Sequence, residues 1–248
     1  MSQSEFIDVS VNDHIMKIGM NRPAKKNALT RDMYQAISTA IEDADARDDV
    51  KVVLLHGHET CFTAGNDLAD FASRDPNEVS NAIKLLLVLH NMEKPLIAAV
   101  TGLAVGVGTT LLLHCDIAYA ADDARFRMPF VNLGLCPEAA SSLLLPATIG
   151  HRQASELLLF GDFFDGETAM QSGLINRVLP ATELMDYAMQ RAIELAEKPN
   201  QAVIESKRLM KSHHHDKVKT CILDEAKIFA QLLTSEESKL ARENALKR

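Results

Sequence analysis

The chain has 248 residues, 47% hydrophobic and 24% charged, a composition that suits one sizeable core in a single main domain. A formal net charge of −8 and a pI near 5.6 weigh against a nucleic-acid surface, which relies on clustered lysine and arginine. Cys61, Cys115, Cys136 and Cys221 lie far apart with no CxxC pair, so neither a zinc site nor a disulfide framework is expected, and reduced thiols in a cytoplasm fit best.

Residues 5–20, EFIDVSVNDHIMKIGM, alternate apolar and polar side chains around Asn12 and Asp13, the pattern of a β-hairpin. Thr30 caps a helix running to about Arg47, with Met33, Ile37, Ala40, Ile41 and Ala44 at helical spacing. KVVLLHG (51–57) reads as a buried parallel strand. A polar loop, a helix over 77–92, the strand PLIAAV (95–100), a glycine turn, another helix and the strand DIAYA (116–120) follow. Strands and crossover helices in repeated order predict an α/β protein.

Residues 96–113 are uncharged and long enough to tempt a reading as a membrane span. Lys94 and Pro95 open the segment, and glycines and threonines interrupt it, so a buried core without a membrane partner is expected. From Glu138 onward helices are predicted over 138–149, 151–160, 165–172, 181–196, 199–212 and 216–246. Val218, Ile222, Phe229, Leu232 and Leu233 give the last one an apolar face that should pack on the body or on another subunit. The run His213 to His215 reads as a polar loop or helix end, since adjacent histidines point in different directions, and no metal site is expected.

Two glycine-containing turns, CFTAGNDLADF (61–71) and GLAVGVGTTLL (102–112), each follow a strand and lead into a helix. Free backbone N–H groups there can hold an anion or a developing negative charge, although each also reads as a plain tight turn. A dinucleotide fingerprint fails because Leu111 stands where the third glycine after Gly106 and Gly108 belongs, and no GK[ST] is present. In LCPEAASS (135–142) Glu138 has two readings: a helix start, with proline at the first position and an acid complementing the dipole, or a catalytic carboxylate. Ser141 and Ser142 sit in no GxSxG, and Glu138 has no acidic neighbour of the kind a glycosidase wants.

Taken together, NRPAKKNALT (21–30), FTAGNDL (62–68), GLAVGVGTTLLLHCDIAYA (102–120) and GLCPEAASS (134–142) resemble the crotonase, or enoyl-CoA hydratase/isomerase, superfamily in spacing and order. The resemblance implies a crotonase-like α/β spiral of ββα units over residues 1–195. It also implies a helical C-terminal region, 196–248, that builds a homotrimer, often paired into a hexamer. An acyl-CoA substrate is implied, its thioester carbonyl held between the N–H groups of Asn66 and Val107. Ala64, Gly65, Asn66, Asp67, Leu68 and Gly106 would line the nucleotide and thioester, and Lys25 or Lys26 would pair with phosphates.

The hydratases resembled use two glutamates to hold water, and Thr110 and Phe130 occupy the matching positions here. Glu138 instead falls where 3,2-enoyl-CoA isomerases carry a single acid/base, and Val107 in place of a glycine resembles the same branch. The implied activity is conversion of 3-enoyl-CoA to 2-trans-enoyl-CoA in the cytoplasm without metal or redox cofactor, coenzyme A being part of the substrate. Hydration, another acyl-CoA enolate reaction, and a non-catalytic acyl-CoA-binding or assembly role are the alternatives.

Overall fold

The N-terminal alternation folds into β1 (Ile7–Asn12) and β2 (Ile15–Met20), paired antiparallel. The two residues between them, Asp13 and His14, are both left-handed at φ 51° and 64°, as a two-residue hairpin turn with the right twist requires. The computed structural model describes residues 4–67 and 80–246.

Three times a long strand is followed by a short one: β3 (Val52–His56) by β4 (Cys61–Thr63), β5 (Leu96–Val100) by β6 (Leu103–Val105), and β7 (Ile117–Ala121) by β8 (Arg125–Arg127). The long strands lie parallel in one sheet and the short ones in another, so the chain advances as a spiral. Two later strands complete the sheets, β9 (Phe164–Asp165) antiparallel to β8 and β10 (Arg177–Leu179) parallel to β7. Among the described residues the orders are β1-β2-β3-β5-β7-β10 and β4-β6-β8-β9. Sequence reading took residues 58–63 for a loop and residues 103–105 for part of a turn. Residues 61–63 and 103–105 are strands, too short for periodicity to reveal.

Thr30 caps α1 (Arg31–Ala46), its Oγ1 accepting from the Met33 N–H at 3.3 Å. Ser80 caps α2 (Asn81–Asn91) in the same way, and residues 77–79, where a helix start was expected, lie outside the described residues. Helices α1 and α2 pack together over the main core on one face of the large sheet. On the opposite face Leu184, Ala188, Ala192 and Ala196 of α7 (Ala181–Ala196) meet Ile15, Val52, Leu54 and Ile97. Burial on both faces accounts for the unbroken apolar runs in β3 and β5.

Preceding α7 are α3 (Val107–Thr110), continued by a 3₁₀ turn over Leu111–His114, then α4 (Ser141–Ile149), α5 (His151–Phe160) and α6 (Gly166–Gln171). After it come α8 (Asn200–Ser212), α9 (His215–Leu233) and α10 (Glu236–Leu246). The helix expected from 138 begins only at Ser141, because Ala139 and Ala140 are left-handed at φ 62° and 54° and a right-handed helix cannot run through them. The helix expected over 216–246 breaks near Ser235, and α10 packs against residues 131–133, where Ser238 Oγ donates to the Leu133 carbonyl at 2.9 Å. The three histidines mark the α8–α9 junction, with the His215 ring 4.2 Å from that of His90. No helix of the described residues is long and apolar enough to cross a membrane.

Asn27 pegs residues 22–29 to both sheets. Fully buried and left-handed at φ 53°, it donates from Nδ2 to the carbonyls of Met20, Cys61 and Phe62 at 3.1, 2.8 and 3.1 Å. Its Oδ1 accepts from the Arg22 N–H at 2.7 Å, and its own carbonyl accepts from Thr63 Oγ1 at 2.6 Å. Asn27→Ala strands several buried partners and puts a Cβ-only side chain in a left-handed residue, so urea unfolding should show a loss of about 2–4 kcal/mol. A loss below about 1 kcal/mol would mean that the loop is held by its apolar packing instead.

Candidate active site

The peg at Asn27 sets the first glycine turn. Ala64 N–H donates to the Lys26 carbonyl at 2.9 Å, Leu29 N–H to the Gly65 carbonyl at 2.8 Å, and Asp67 N–H to the Leu29 carbonyl at 3.0 Å. Arg22 adds an ion pair to Asp67 at 2.7 Å. Asn66 is left between these stitches with its side-chain oxygen accepting from the Tyr34 hydroxyl at 2.6 Å.

The second turn is fixed by Gly106, left-handed at φ 58°, whose N–H donates to the Arg127 carbonyl at 2.8 Å. Its carbonyl receives the Thr109 and Thr110 N–H groups and so starts α3. The turns touch: a Cβ on Gly65 would lie 2.7 Å from the Val105 carbonyl oxygen, and one on Gly108 would lie 2.5 Å from Thr63 Cγ2. Among the described residues, neither the Asn66 nor the Val107 N–H meets an acceptor of the chain. For Val107 the reason is general, since the first amides of a helix have no partner within it.

A crevice of about 430 Å³ opens beside these turns, lined among others by Lys25, Ala64, Gly65, Asn66, Asp67 and Gly106. That volume lies in the range of small-molecule and cofactor sites. The expected lining residues are thus brought together, apart from Leu68, which lies outside the described residues. Val107 is buried in the core at 1% exposed and does not line the crevice; its neighbours Val105 and Gly106 do. Of the two lysines considered, Lys25 faces the crevice; Lys26 is a left-handed cap at φ 49° whose carbonyl serves Ala64.

Asn66 also borders a smaller pocket that contains Glu138 and is walled by Ile83, Leu86, Ile222 and Phe229. Thr110 Oγ1 lies 2.5 Å from Glu138 Oε1, with the hydroxyl donating. Part of Glu138 is reachable from the pocket, yet its carboxyl is enclosed by protein, and its pKa is pushed up from 4.5 to about 7. Burial is the main cause; the charge of Glu225 adds to it, and the Thr110 hydrogen bond opposes it. A group so placed is ionised in part at neutral pH and is a far stronger base than an exposed glutamate. Phe130, at the other position matched to a hydratase glutamate, is 5% exposed and borders the larger crevice.

Arg242, from α10, was not found by sequence reasoning. It lines the crevice together with Lys25, its guanidinium held by the Leu233 and Ser238 carbonyls at 2.9 and 3.2 Å. A single arginine in an amphipathic helix carries no motif, so nothing in the sequence marks it. Glu225 and His114, near Glu138, were missed for the same reason. Among the described residues no group of three or more His, Cys, Asp or Glu side chains could hold a metal ion.

The family model for enoyl-CoA hydratase/isomerase matches residues 10–247. Enoyl-CoA delta isomerase 2 of Rattus norvegicus is 36% identical over 87% of the chain, which spans 57% of that protein's length. The 2,3-dehydroadipyl-CoA hydratase of Escherichia coli K12 is 31% identical over 94% of the chain and 92% of its own. The structure of OdaA from Pseudomonas aeruginosa superposes with a TM-score of 0.96 at 42% identity, covering 99% of this chain and all of the other. With a crotonase spiral, two touching glycine turns and a match over nearly its whole length, the chain belongs to the enoyl-CoA hydratase/isomerase family.

Proposed function

We propose that the protein is a 3-enoyl-CoA isomerase that moves the acyl double bond from C3–C4 to C2–C3, giving the 2-trans-enoyl thioester. The observation that carries this reading is that Glu138 is the one carboxylate among the described residues lining the pocket it shares with Asn66; the family resemblance adds that Thr110 and Phe130 stand where hydratases carry glutamates. The name of the rat relative supports it. The name of the E. coli relative makes hydration the alternative to measure.

Glu138 takes a proton from C2, and the electron pair moves through C1 onto the thioester oxygen. The resulting dienolate is held by the N–H groups of Asn66 and Val107; losing one such donor typically costs about 3 kcal/mol of barrier. The protonated Glu138 then returns the proton to C4, the C2–C3 double bond forms, and the carboxylate is restored. One base suffices because the proton it takes is the proton it gives, and the step is redox-neutral. Coenzyme A enters only as part of the substrate, with Lys25 and Arg242 available to its phosphates. The reading extends to a cytoplasmic homotrimer or hexamer, for which the exposed Phe160, Phe163 and Met210 offer apolar surface.

Incubating the protein with a 3-enoyl-CoA should generate the ultraviolet absorbance of a conjugated thioester, and Glu138→Gln should lower the rate about 10²–10⁴-fold. Hydration of 2-enoyl-CoA outpacing isomerisation, or full activity in the variant, would overturn the reading.

The base must start ionised, so log(kcat/KM) should fall with unit slope as pH drops below about 7. Thr110→Val removes a donor that favours the charged form and should shift this limb to higher pH; a pH–rate profile of both proteins decides.

Because the folded pKa of Glu138 is raised, its contribution to stability is full below 4.5 and is lost as pH rises through about 7. Glu138→Gln should therefore gain on the order of 3 kcal/mol over the native protein above about pH 8 and nothing near pH 4. Thermal unfolding across that range measures it.

A further inference from the structure

Ala139 and Ala140 adopt consecutive left-handed conformations that alanine disfavours, directly after Glu138. Something outside the segment must hold them. The peptide unit joining them is gripped at both ends. Its carbonyl oxygen, on Ala139, lies 2.8 Å from His114 Nε2, and its N–H, on Ala140, donates to Glu225 Oε2 at 2.6 Å. The second oxygen of Glu225 accepts from the Ser142 N–H at 3.0 Å and from Ser142 Oγ at 2.5 Å. Both gripping side chains are buried, at 4% exposed for His114 and 7% for Glu225.

From this geometry, and resting on the isomerase reading above, we infer that His114 and Glu225 are positioning residues that clamp the 139–140 peptide unit and so aim the Glu138 carboxylate. His114 comes from the 3₁₀ turn that continues α3, and Glu225 from α9. The base is thus tied to the element carrying the Val107 amide and to the C-terminal helices. A carbonyl partner requires the proton on His114 Nε2. Burial keeps that ring neutral, with its pKa lowered to about 4, so the donor is present at neutral pH.

Glu225 has a second effect, because its charge raises the pKa of Glu138. Among the described residues the surroundings of Glu138 add little else: Thr110 offers a hydroxyl, α2 offers Ile83 and Leu86, and Cys136 on its own segment has its thiol pushed up to about 11. Lys25 and Arg242 border the other cavity.

The test compares His114→Leu, which deletes the donor, with His114→Gln, whose amide can replace Nε2–H, and with Glu225→Gln, which keeps the shape and removes the charge. The donor-deleting variant should lose about ten- to a hundredfold in kcat with little change in KM, and His114→Gln should recover most of that loss. Glu225→Gln should lower kcat and also move the acid limb of the pH–rate profile to lower pH. Unchanged kcat and pH profile in folded His114→Leu and Glu225→Gln, or His114→Gln no better than His114→Leu, overturns the clamp.

Amide exchange in the native protein gives a readout independent of activity and of whether the variants fold. Slow exchange of the Ala140 and Ser142 N–H groups supports the clamp, and fast exchange overturns it. Should the native protein fail to isomerise 3-enoyl-CoA while these amides stay protected, the functional reading fails and the clamp stands.

Discussion

Taking a carboxylate out of water is costly unless donors replace the lost solvent, and the site is organised around how little replacement Glu138 receives. Among the described residues one hydroxyl, from Thr110, reaches its oxygen, and no cation does. Contrast Glu225, one helix away, which receives two backbone amides and a hydroxyl. Two carboxylates in one neighbourhood are thereby given different characters: the well-donated one ties down backbone, and the poorly donated one has its pKa near neutrality, as the base of the proposed reaction requires. The local environment, more than residue type, separates the two roles.

That arrangement depends on the spiral. Each winding leaves a long strand and makes a short one in the second sheet, which brings the turns after β4 and β6 side by side. The turn at residues 64–67 rests on the turn at 105–108 because glycine removes the side chains that would separate them. Two unpartnered amides then come from chain positions about forty residues apart with no long side chain to position them. Oriented backbone dipoles of this kind need no reorganisation when charge develops, which is what makes them effective next to an enolate oxygen.

Much of this was legible in the sequence and some was not. The hairpin, α1 with its Thr30 cap, and strands β3, β5 and β7 follow from alternation, capping and apolar runs. The glycine turns were visible as turns, and Glu138 as an acid out of place. Strands of three residues, β4, β6 and β8, are too short to show a period. The segment following Glu138 misled because proline and an acid do mark helix starts, whereas the left-handed alanines that delay α4 are imposed by His114 and Glu225 from distant parts of the chain. Arg242 and Glu225 look like ordinary charges on amphipathic helices. Only the packing of those helices turns them inward.

The C-terminal helices are therefore more than a cover. Lys207 of α8 is buried against the body, its Nζ 2.7 Å from both Asp116 and the Lys94 carbonyl. Lys94 in turn donates to the Ala44 carbonyl at 2.6 Å. These charges tie α8 to the starts of the interior strands β5 and β7; further along the chain Phe229 and Arg242 line the cavities and Glu225 reaches the amides of Ala140 and Ser142. Phe229 borders both cavities, and Asn66 faces it from the first glycine turn. A change that loosens the α8 anchor would reach Glu138 through α9 without touching any residue that lines either cavity. The chemistry of Glu138 is in this sense a property of the whole chain's packing.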